Sequence, residues 1–143
     1  MVLRVHFITP RGFAYVQQTG HLVLPAFDGE VGILPGHAPF VCLLGYGRCR
    51  LDQQGGDPEY VALRGGVAWI QRNQVAVVTE SLLRAREIRP RRVLRQLAEL
   101  DAATYDDTPA LATAHTEARW LIAQLHCVHE PVPRLRQVDP DLG

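Results

Sequence analysis

Short apolar runs separated by turn residues fill the first eighty positions of the chain. Within several runs apolar and polar residues alternate, as in a strand that has one buried face. Glycine, proline, asparagine and aspartate lie between the runs, where turns are expected. About nine strands at this close spacing are typical of an antiparallel β-sandwich. The predicted strands cover residues 3–8, 13–18, 21–24, 31–34, 40–44, 48–52, 59–63, 67–70 and 75–78.

The same pattern predicts the turns and the core of this sandwich. The polar, glycine-rich residues 53–58 predict a hairpin loop. Glycines predict two further turns, at Gly45–Gly47 and at Gly65–Gly66. The expected core comprises Val5, Phe7, Val23, Ile33, Val41, Leu43, Val61, Trp69, Val75 and Val77.

Beyond Leu82 the apolar period changes from that of strands to that of helices. We expect a first helix from Pro90, because a missing N–H is harmless in the first turn. A second is expected from Thr108 as the N-cap, with Pro109 at the first helical position. Residues 105–107 separate them, which predicts an antiparallel hairpin. The apolar positions are Val93, Leu94, Leu97 and Leu100 in the first helix and Leu111, Ala114, Ala118, Leu121, Leu125 and Val128 in the second.

The seam between the two helices is thin, because alanine buries little apolar area. We therefore expect the hairpin to be marginally stable unless it packs on the sandwich or on a partner, and a marginal element is suited to moving between two positions. Pro131 and Pro133 end the second helix, and a loose tail is expected after Val132. The predicted fold class is β + α, with an N-terminal antiparallel β-sandwich domain (residues 1–84) and a C-terminal antiparallel two-helix hairpin with its tail (residues 85–143).

Composition excludes several classes of function. The 15 basic residues balance 15 acidic ones, so the chain lacks the basic excess of a nucleic-acid-binding domain. Every basic residue is arginine, which excludes a lysine nucleophile and a P-loop lysine. Three cysteines without close pairs, and no secretory signal, favour a reducing compartment. No apolar run approaches the roughly 20 residues of a membrane span, so we expect membrane attachment only through another protein.

The residues capable of chemistry do not assemble into a predicted catalytic or metal site. The only serine, Ser81, lacks the glycine elbow of a nucleophile. His126, Cys127 and His129 have the spacing of a ligand cluster, but no HExxH or CxxC motif accompanies them, so a frayed helix end is favoured. The glycines of residues 28–39 do not form GxGxxG and do not precede a helix, which excludes a dinucleotide site. No catalytic residue and no metal ligand is predicted.

Residues 28–39 hold the densest turn chemistry of the chain, with three glycines and two prolines among twelve residues. Glu30 and His37 bracket the short apolar strand within this segment. An acid and an imidazole on a stiff loop are compatible with catalysis, with a docking surface, or with a buried turn that carries surface polar groups. Spacing alone favours the last of these interpretations.

This segment, Gly29-Glu-Val-Gly-Ile-Leu-Pro-Gly-His-Ala-Pro39, resembles the signature loop of the epsilon subunit of F-type ATP synthase. The family's first strand, its glycine pair and the hairpin behind that pair also match, in the same order, at residues 5–10, 63–73 and 75–80. Together with the helices, the resemblance covers about residues 3 to 129. It implies a non-catalytic rotor subunit that couples ion flow through the c-ring to ATP synthesis.

The resemblance also implies partners. In the family the sandwich grips the gamma subunit and rests on the polar loops of the membrane c-ring, below the alpha/beta catalytic head. In bacterial relatives the hairpin can rise into that head and block ATP hydrolysis. Such a chain is peripheral, on the cytoplasmic face of the bacterial inner membrane. The residues that the resemblance places at the c-ring or gamma interface are Glu30, Ile33, Pro35, His37 and Pro39.

An arginine cluster surrounds the start of the first helix, at Arg84, Arg86, Arg89, Arg91, Arg92 and Arg95. It is compatible with a solvated face or with an anion site. Some epsilon subunits bind ATP through Ile-Asp-x-x-Arg-Ala at this point. Ile88 and Arg92 match, but Arg89 replaces the aspartate and Val93 the alanine, so no cofactor is expected. The candidate nucleotide or regulatory residues are Ile88, Arg92, Arg95 and Arg119. The alternative function is a stand-alone nucleotide or anion sensor that uses this cluster.

Overall fold

A computed structural model describes residues 1–142 of the chain. Eight strands are followed by two helices, which confirms the predicted β + α class. Short 3-10 turns follow the last strand, at Ala85–Glu87, and close the described chain, at Pro140–Leu142. The strands are β1 (Leu3–Thr9), β2 (Gly12–Thr19), β3 (His21–Ala26), β4 (Gly29–Ile33), β5 (Phe40–Asp52), β6 (Glu59–Gln71), β7 (Gln74–Val78) and β8 (Leu82–Arg84); the helices are α1 (Pro90–Ala102) and α2 (Thr108–Cys127).

The strands follow the order β2-β1-β7-β6-β5-β3-β4, and β8 pairs with β6 beside this path. All neighbours are antiparallel except β1 and β7, which run parallel. The first half of β6 pairs with β8 and the second half with β7. The sheet therefore folds over on itself and encloses one apolar core, to which every strand from β1 to β7 except β2 contributes fully buried residues.

Two glycine pairs predicted as turns lie inside strands. The predicted runs on either side of Gly45–Gly47 form the single strand β5, and Gly65–Gly66 lies in the middle of β6. Gly66 has a φ of 116°, and a Cβ there would stand 1.9 Å from the carbonyl oxygen of Val78. A Cβ on Gly47 would stand 2.8 Å from the Cβ of Pro25. These glycines therefore permit strong bending and close strand approach without ending a strand.

Three residues of the predicted core are on the surface. Val41, Leu43 and Trp69 are 67%, 64% and 45% exposed, so the prediction that they are buried is wrong. In β5 and β6 their neighbours Leu44 and Ala68 point into the core instead. An unbroken apolar run has no alternation with polar residues, so the sequence does not indicate which of its two faces is buried.

The helical hairpin packs on the sheet through α2. Ala62 of β6 joins the buried helical residues Val93, Leu97, Ala118 and Leu121 in a second apolar core. The N-cap of α2 is Asp107 and not Thr108, because the Asp107 carboxylate accepts a hydrogen bond from the N–H of Ala110 at 2.7 Å. None of the helices within residues 1–142 is long and apolar enough to cross a membrane.

The segment after Val132 is packed, so the prediction of a loose tail is wrong. Leu135 and Val138 are buried in the helical core. Backbone N–H groups of the same segment donate to Asp101, at the end of α1.

Helix α2 ends at Cys127, before Pro131 and Pro133, so the prediction that these prolines end it is wrong. His129 adopts a positive φ of 56°, and the N–H of Glu130 donates to the carbonyl of Leu125, which closes the helix end. The chain beyond the prolines turns back along the hairpin.

Candidate functional site

The loop between β4 and β5 is a defined turn. The N–H of His37 donates to the carbonyl of Leu34 at 3.1 Å and closes a four-residue β-turn. Pro35 and Gly36 are its central residues, and Gly36 has a φ of 85°. A type II turn requires a positive φ at its second central position, which glycine supplies, and it favours proline at the first. The sequence Leu34-Pro-Gly-His37 therefore fixes the shape of the loop locally.

A neighbouring hairpin ties this turn to the sheet. Arg72 and Asn73 both have positive φ, as the two-residue turn between β6 and β7 requires. The side-chain oxygen of Asn73 accepts a hydrogen bond from the N–H of Gly36 at 2.7 Å. The carbonyl of Asn73 accepts another from the N–H of Arg4. The loop, the hairpin and the first strand are therefore held as one unit.

The predicted interface residues occupy different environments on this unit. His37 lies edge-on to Phe40 at 5.6 Å, and its Nδ1 is 2.7 Å from the carbonyl of Ala38. Because a carbonyl only accepts, Nδ1 must carry a proton, which leaves Nε2 free for a partner. Pro39 and Glu30 are exposed and Pro35 is half-buried, whereas Ile33 is fully buried beneath the loop.

Glu30 and His37 are not brought together. Glu30 borders an open cleft whose other walls include Arg48 and His126. No hydrogen bond or ion pair joins Glu30 to His37 within the described chain. The acid and the imidazole therefore do not form the paired arrangement that acid–base catalysis requires.

An exposed apolar surface, which the sequence analysis did not predict, lies on the outer side of the sheet. Strand register aligns Leu43, Val67, Val78, Ile8 and Phe13 in one row across β5, β6, β7, β1 and β2. Residues that face each other in neighbouring strands share one side of the sheet.

A second row places Val41 beside Trp69 and Ala76. Phe27, which is 80% exposed, adjoins these rows because its N–H donates to the carbonyl of Leu43. We call this surface the outer face, comprising Phe27, Val41, Leu43, Val67, Trp69, Ile8, Phe13 and Val78.

The four candidate regulatory residues lie at separate places. Ile88 is buried in the helical core, and Arg95 is exposed on α1. Arg92 borders a cavity shared with Glu117 and Trp120. Arg119 borders a different cavity, beside Tyr46 and His126. The folded hairpin therefore does not gather them into one pocket.

An ion pair joins the hairpin to the sheet. The guanidinium of Arg64, on β6, bonds the carboxylate of Glu117 on α2 at 3.0 Å. It also lies over the rings of Tyr46 and Trp120, at 5.5 and 5.7 Å. Burial disfavours the charged form of Arg64, but the hydrogen bond and charge of Glu117, together with Tyr46, outweigh it, so the pKa of Arg64 is raised. This contact positions α2 on the sandwich.

The guanidinium of Arg48 lies within the cluster of His126, Cys127 and His129 at the end of α2. Arg48 donates to the carbonyl of His126 at 3.0 Å and lies 3.3 Å from Nδ1 of His129. Burial, and then the charge of Arg48, lower the pKa of His126. Burial raises the pKa of Cys127 to about 12. A guanidinium at this place disfavours a second cation, and no metal-ligand group of three or more His, Cys, Asp or Glu occurs within residues 1–142.

Comparison with known proteins gives one consistent family. Residues 2–85 match the family described as "ATP synthase, Delta/Epsilon chain, beta-sandwich domain". The chain is 34% identical over 139 residues to the ATP synthase epsilon chain of Acidithiobacillus ferridurans, covering 96% of this chain and 95% of that one. It is 32% identical over 127 residues to the ATP synthase epsilon chain of Neisseria meningitidis (strain FAM18), covering 87% and 91%.

Two solved structures share the fold. A chain of the Euglena gracilis mitochondrial ATP synthase superposes with a TM-score of 0.78 at 18% identity, covering 90% of this chain and 82% of that one. A chain of the Tetrahymena thermophila mitochondrial ATP synthase, in a structure of the central stalk and c-ring, has a TM-score of 0.60 at 12% identity, covering 88% and 96%. At these identities the likeness extends to the fold.

Proposed function

Because the chain belongs to the epsilon subunits of F-type ATP synthase, we propose that it works as a non-catalytic part of the central stalk. In this role it turns with the rotor and helps to couple ion flow through the c-ring to ATP synthesis. Its partners are the gamma subunit, the c-ring and the alpha/beta catalytic head. It is a peripheral component, held at the cytoplasmic face of the inner membrane by the complex.

The outer face is the observation that carries this proposal. Soluble monomers seldom leave large side chains such as Trp69, Leu43 and Phe27 together on one surface. Contiguous exposed apolar side chains with aromatic residues among them are typical of the buried core of a stable protein interface. We assign the outer face to the gamma subunit, since docking there removes this apolar area from water.

We assign the turn at the edge of the sandwich to the c-ring. Glu30, His37 and Pro39 are accessible, and Nε2 of His37 has no partner within the described chain. Polar and charge-assisted hydrogen bonds from a rigid loop lose little conformational entropy on docking. Pro35 supplies part of that rigidity, and Ile33 anchors the loop in the core.

We further propose that the hairpin, as a domain beginning at residue 85, inhibits ATP hydrolysis when it leaves the sandwich. Its contact with the sheet combines one fully buried apolar residue of the strands, Ala62, with the half-buried Tyr46, Tyr60 and Leu83. Arg64 adds an ion pair to Glu117, and Arg48 adds a hydrogen bond to the carbonyl of His126. Interfaces with a large polar share within one chain are of the kind that permits domains to separate. Arg92, Arg95 and Arg119 are then available to acidic residues of the catalytic subunits. The dispersed positions of Ile88, Arg92 and Arg119 give no support to a nucleotide pocket in the folded hairpin.

Affinity capture of the tagged chain from its native membranes tests the stalk assignment. Recovery of gamma together with alpha and beta, identified by mass, is the expected result. A chain that emerges alone or with unrelated proteins contradicts the proposal. Calorimetric titration of the purified chain with ATP then tests the sensor alternative, because a sensor binds its ligand without a partner.

A further inference from the structure

Three residues beyond α2, Arg136–Val138, bind one carboxylate at the end of α1. The two oxygens of Asp101 accept hydrogen bonds from the backbone N–H groups of Arg136, Gln137 and Val138, at donor–acceptor distances of 2.8 to 3.1 Å. Three successive backbone N–H groups donating to one carboxylate fix the orientation of the segment. Hydrogen bonds to a charged acceptor are also stronger than those between neutral groups. The segment is therefore fixed at a point where α1 ends and the link to α2 begins.

Gln137 connects the segment to both helices. Its side-chain amide donates to the carbonyls of Asp101 and Ala103, which lie in the last turn and at the C-cap of α1. A helix leaves its last carbonyls without intrahelical partners, so Gln137 satisfies groups that the helix itself cannot. The carbonyl of Gln137 accepts from Nε2 of His115, on α2. One residue thus bridges the end of α1 and the face of α2.

Apolar burial accompanies these hydrogen bonds. Val138 is completely buried and Leu135 is 8% exposed, and both belong to the apolar core of the hairpin. Helix α1 contributes only Val93 and Leu97 to that core as buried residues. The C-terminal segment therefore supplies as many buried apolar side chains to the hairpin as α1 does.

We propose that Leu135–Val138 form a clasp, anchored on Asp101, that holds α1 and α2 in the folded hairpin. Separation of α1 from α2 must break the contacts of this segment with one of the two helices, either those to Asp101 and the α1 carbonyls or that to His115. It must also open the apolar core in which Val138 is buried. The clasp therefore sets the fraction of molecules in which the hairpin is folded. The effect is built into this chain and needs no nucleotide. Only its consequence for hydrolysis rests on the proposed function.

Hydrogen exchange of the purified full-length chain tests the clasp without the rest of the complex. Asp101→Ala removes the anchor. Asp106→Ala is the matched control, because it removes the same charge from an exposed position in the link between the helices. Asp101→Asn keeps one acceptor oxygen and should restore part of the protection.

In Asp101→Ala we expect the amides of Arg136–Val138 to exchange about tenfold faster or more, and the buried face of α1 and α2 to lose protection with them. The strands of the sandwich should exchange as in the unmodified chain, and Asp106→Ala should change none of these regions. If the segment is released while α1 and α2 keep their protection, the segment packs on the hairpin without holding it and the proposal fails. It also fails if Asp106→Ala matches Asp101→Ala, or if the amides of Arg136–Val138 stay protected without Asp101. If Asp101→Ala also removes the protection of the sandwich strands, the substitution has destabilised the whole chain. The milder Asp101→Asn then takes its place. The proposal holds if Asp101→Asn loses protection both at Arg136–Val138 and on the buried faces of α1 and α2, and it fails if Asp101→Asn behaves like Asp106→Ala.

Discussion

The side chain of Asn73 holds the backbone of Gly36 by a hydrogen bond of 2.7 Å between Oδ1 and N–H. This contact joins two turns that are 37 residues apart in the chain. One is the type II turn that presents His37, and the other is the hairpin between β6 and β7. The shape of the proposed c-ring surface therefore depends on a residue outside that surface.

Asn73→Gly should loosen the turn at Gly36 without disturbing the hairpin. Glycine accepts the φ of 63° that Asn73 adopts but offers no side-chain acceptor. We expect faster exchange of the Gly36 amide and a loss of about 0.5–1.5 kcal/mol in the free energy of unfolding. Asn73→Asp retains an acceptor oxygen and tolerates the same φ, so it should behave like the unmodified chain. Equal Gly36 exchange in both variants would show that the hydrogen bond does not hold the turn.

Gly66→Ala should unfold or strongly destabilise the sandwich. The new Cβ meets the carbonyl oxygen of Val78 at 1.9 Å, and the φ of 116° disfavours any side chain. We expect a loss of about 3 kcal/mol or more in the free energy of unfolding, measured by urea denaturation. Gly20→Ala is the control, because its Cβ meets nothing within 4 Å and should change stability by less than about 0.5 kcal/mol. A mild effect at Gly66 would contradict the close strand approach described above.

The contribution of Asp101 to stability should disappear in acid. Desolvation favours the neutral carboxyl, but N–H groups of Gln137, Arg136 and Val138, with the charge of Arg136, outweigh it and lower the pKa of Asp101. A lowered folded-state pKa adds stability that is fully present above the ordinary value of 3.8 and is lost as the pH falls through the folded value.

We therefore expect the difference in urea midpoint between the unmodified chain and Asp101→Asn to be constant at neutral pH and to shrink below about pH 4. Comparing the two proteins cancels other carboxylates such as Asp52, whose pKa is lowered mainly by its hydrogen bond to Arg50. A difference that keeps its size at low pH would mean that the Asp101 charge does not stabilise the fold.

Ending the chain after Ile88 should raise ATP hydrolysis by the assembled enzyme, because the proposed inhibitor is removed while the docking surfaces remain. We expect steady-state turnover to increase several fold. A fivefold increase corresponds to a decrease of about 1 kcal/mol in the activation free energy. Recovery of gamma with the shortened chain is the necessary control. Unchanged turnover in a complex that still contains the shortened chain would exclude the inhibitory role.

The sequence predicted the architecture well, because strand and helix periods are local properties. Turn chemistry placed the loop around Pro35 and Gly36 correctly, and helical spacing gave both helices. Side-chain exposure was less predictable. Val41 and Trp69 lie in apolar segments in which no alternation with polar residues marks the exposed face.

Contacts between residues that are distant in the sequence could not be predicted, because periodicity and turn chemistry are local properties. Nothing near residue 101 indicates that its carboxylate binds N–H groups 35 to 37 residues away. The prolines after α2 predict only that the helix does not continue past them, and they do not indicate whether the following chain is loose or packed. The clasp therefore became visible only in the folded molecule.

Binding of gamma through the outer face is the central claim, and one measurement tests it directly. Leu43→Asp places a charge on the outer face between Phe27 and Val67, whereas Val2→Asp makes the same kind of change at an exposed position near the N-terminus. Burying an unpaired charge in an interface is costly, so we expect Leu43→Asp to reduce co-captured gamma by about tenfold or more at equal amounts of folded chain. Val2→Asp should retain gamma at the level of the unmodified chain. If Leu43→Asp captures gamma as well as Val2→Asp does, the outer face is not the gamma-binding surface.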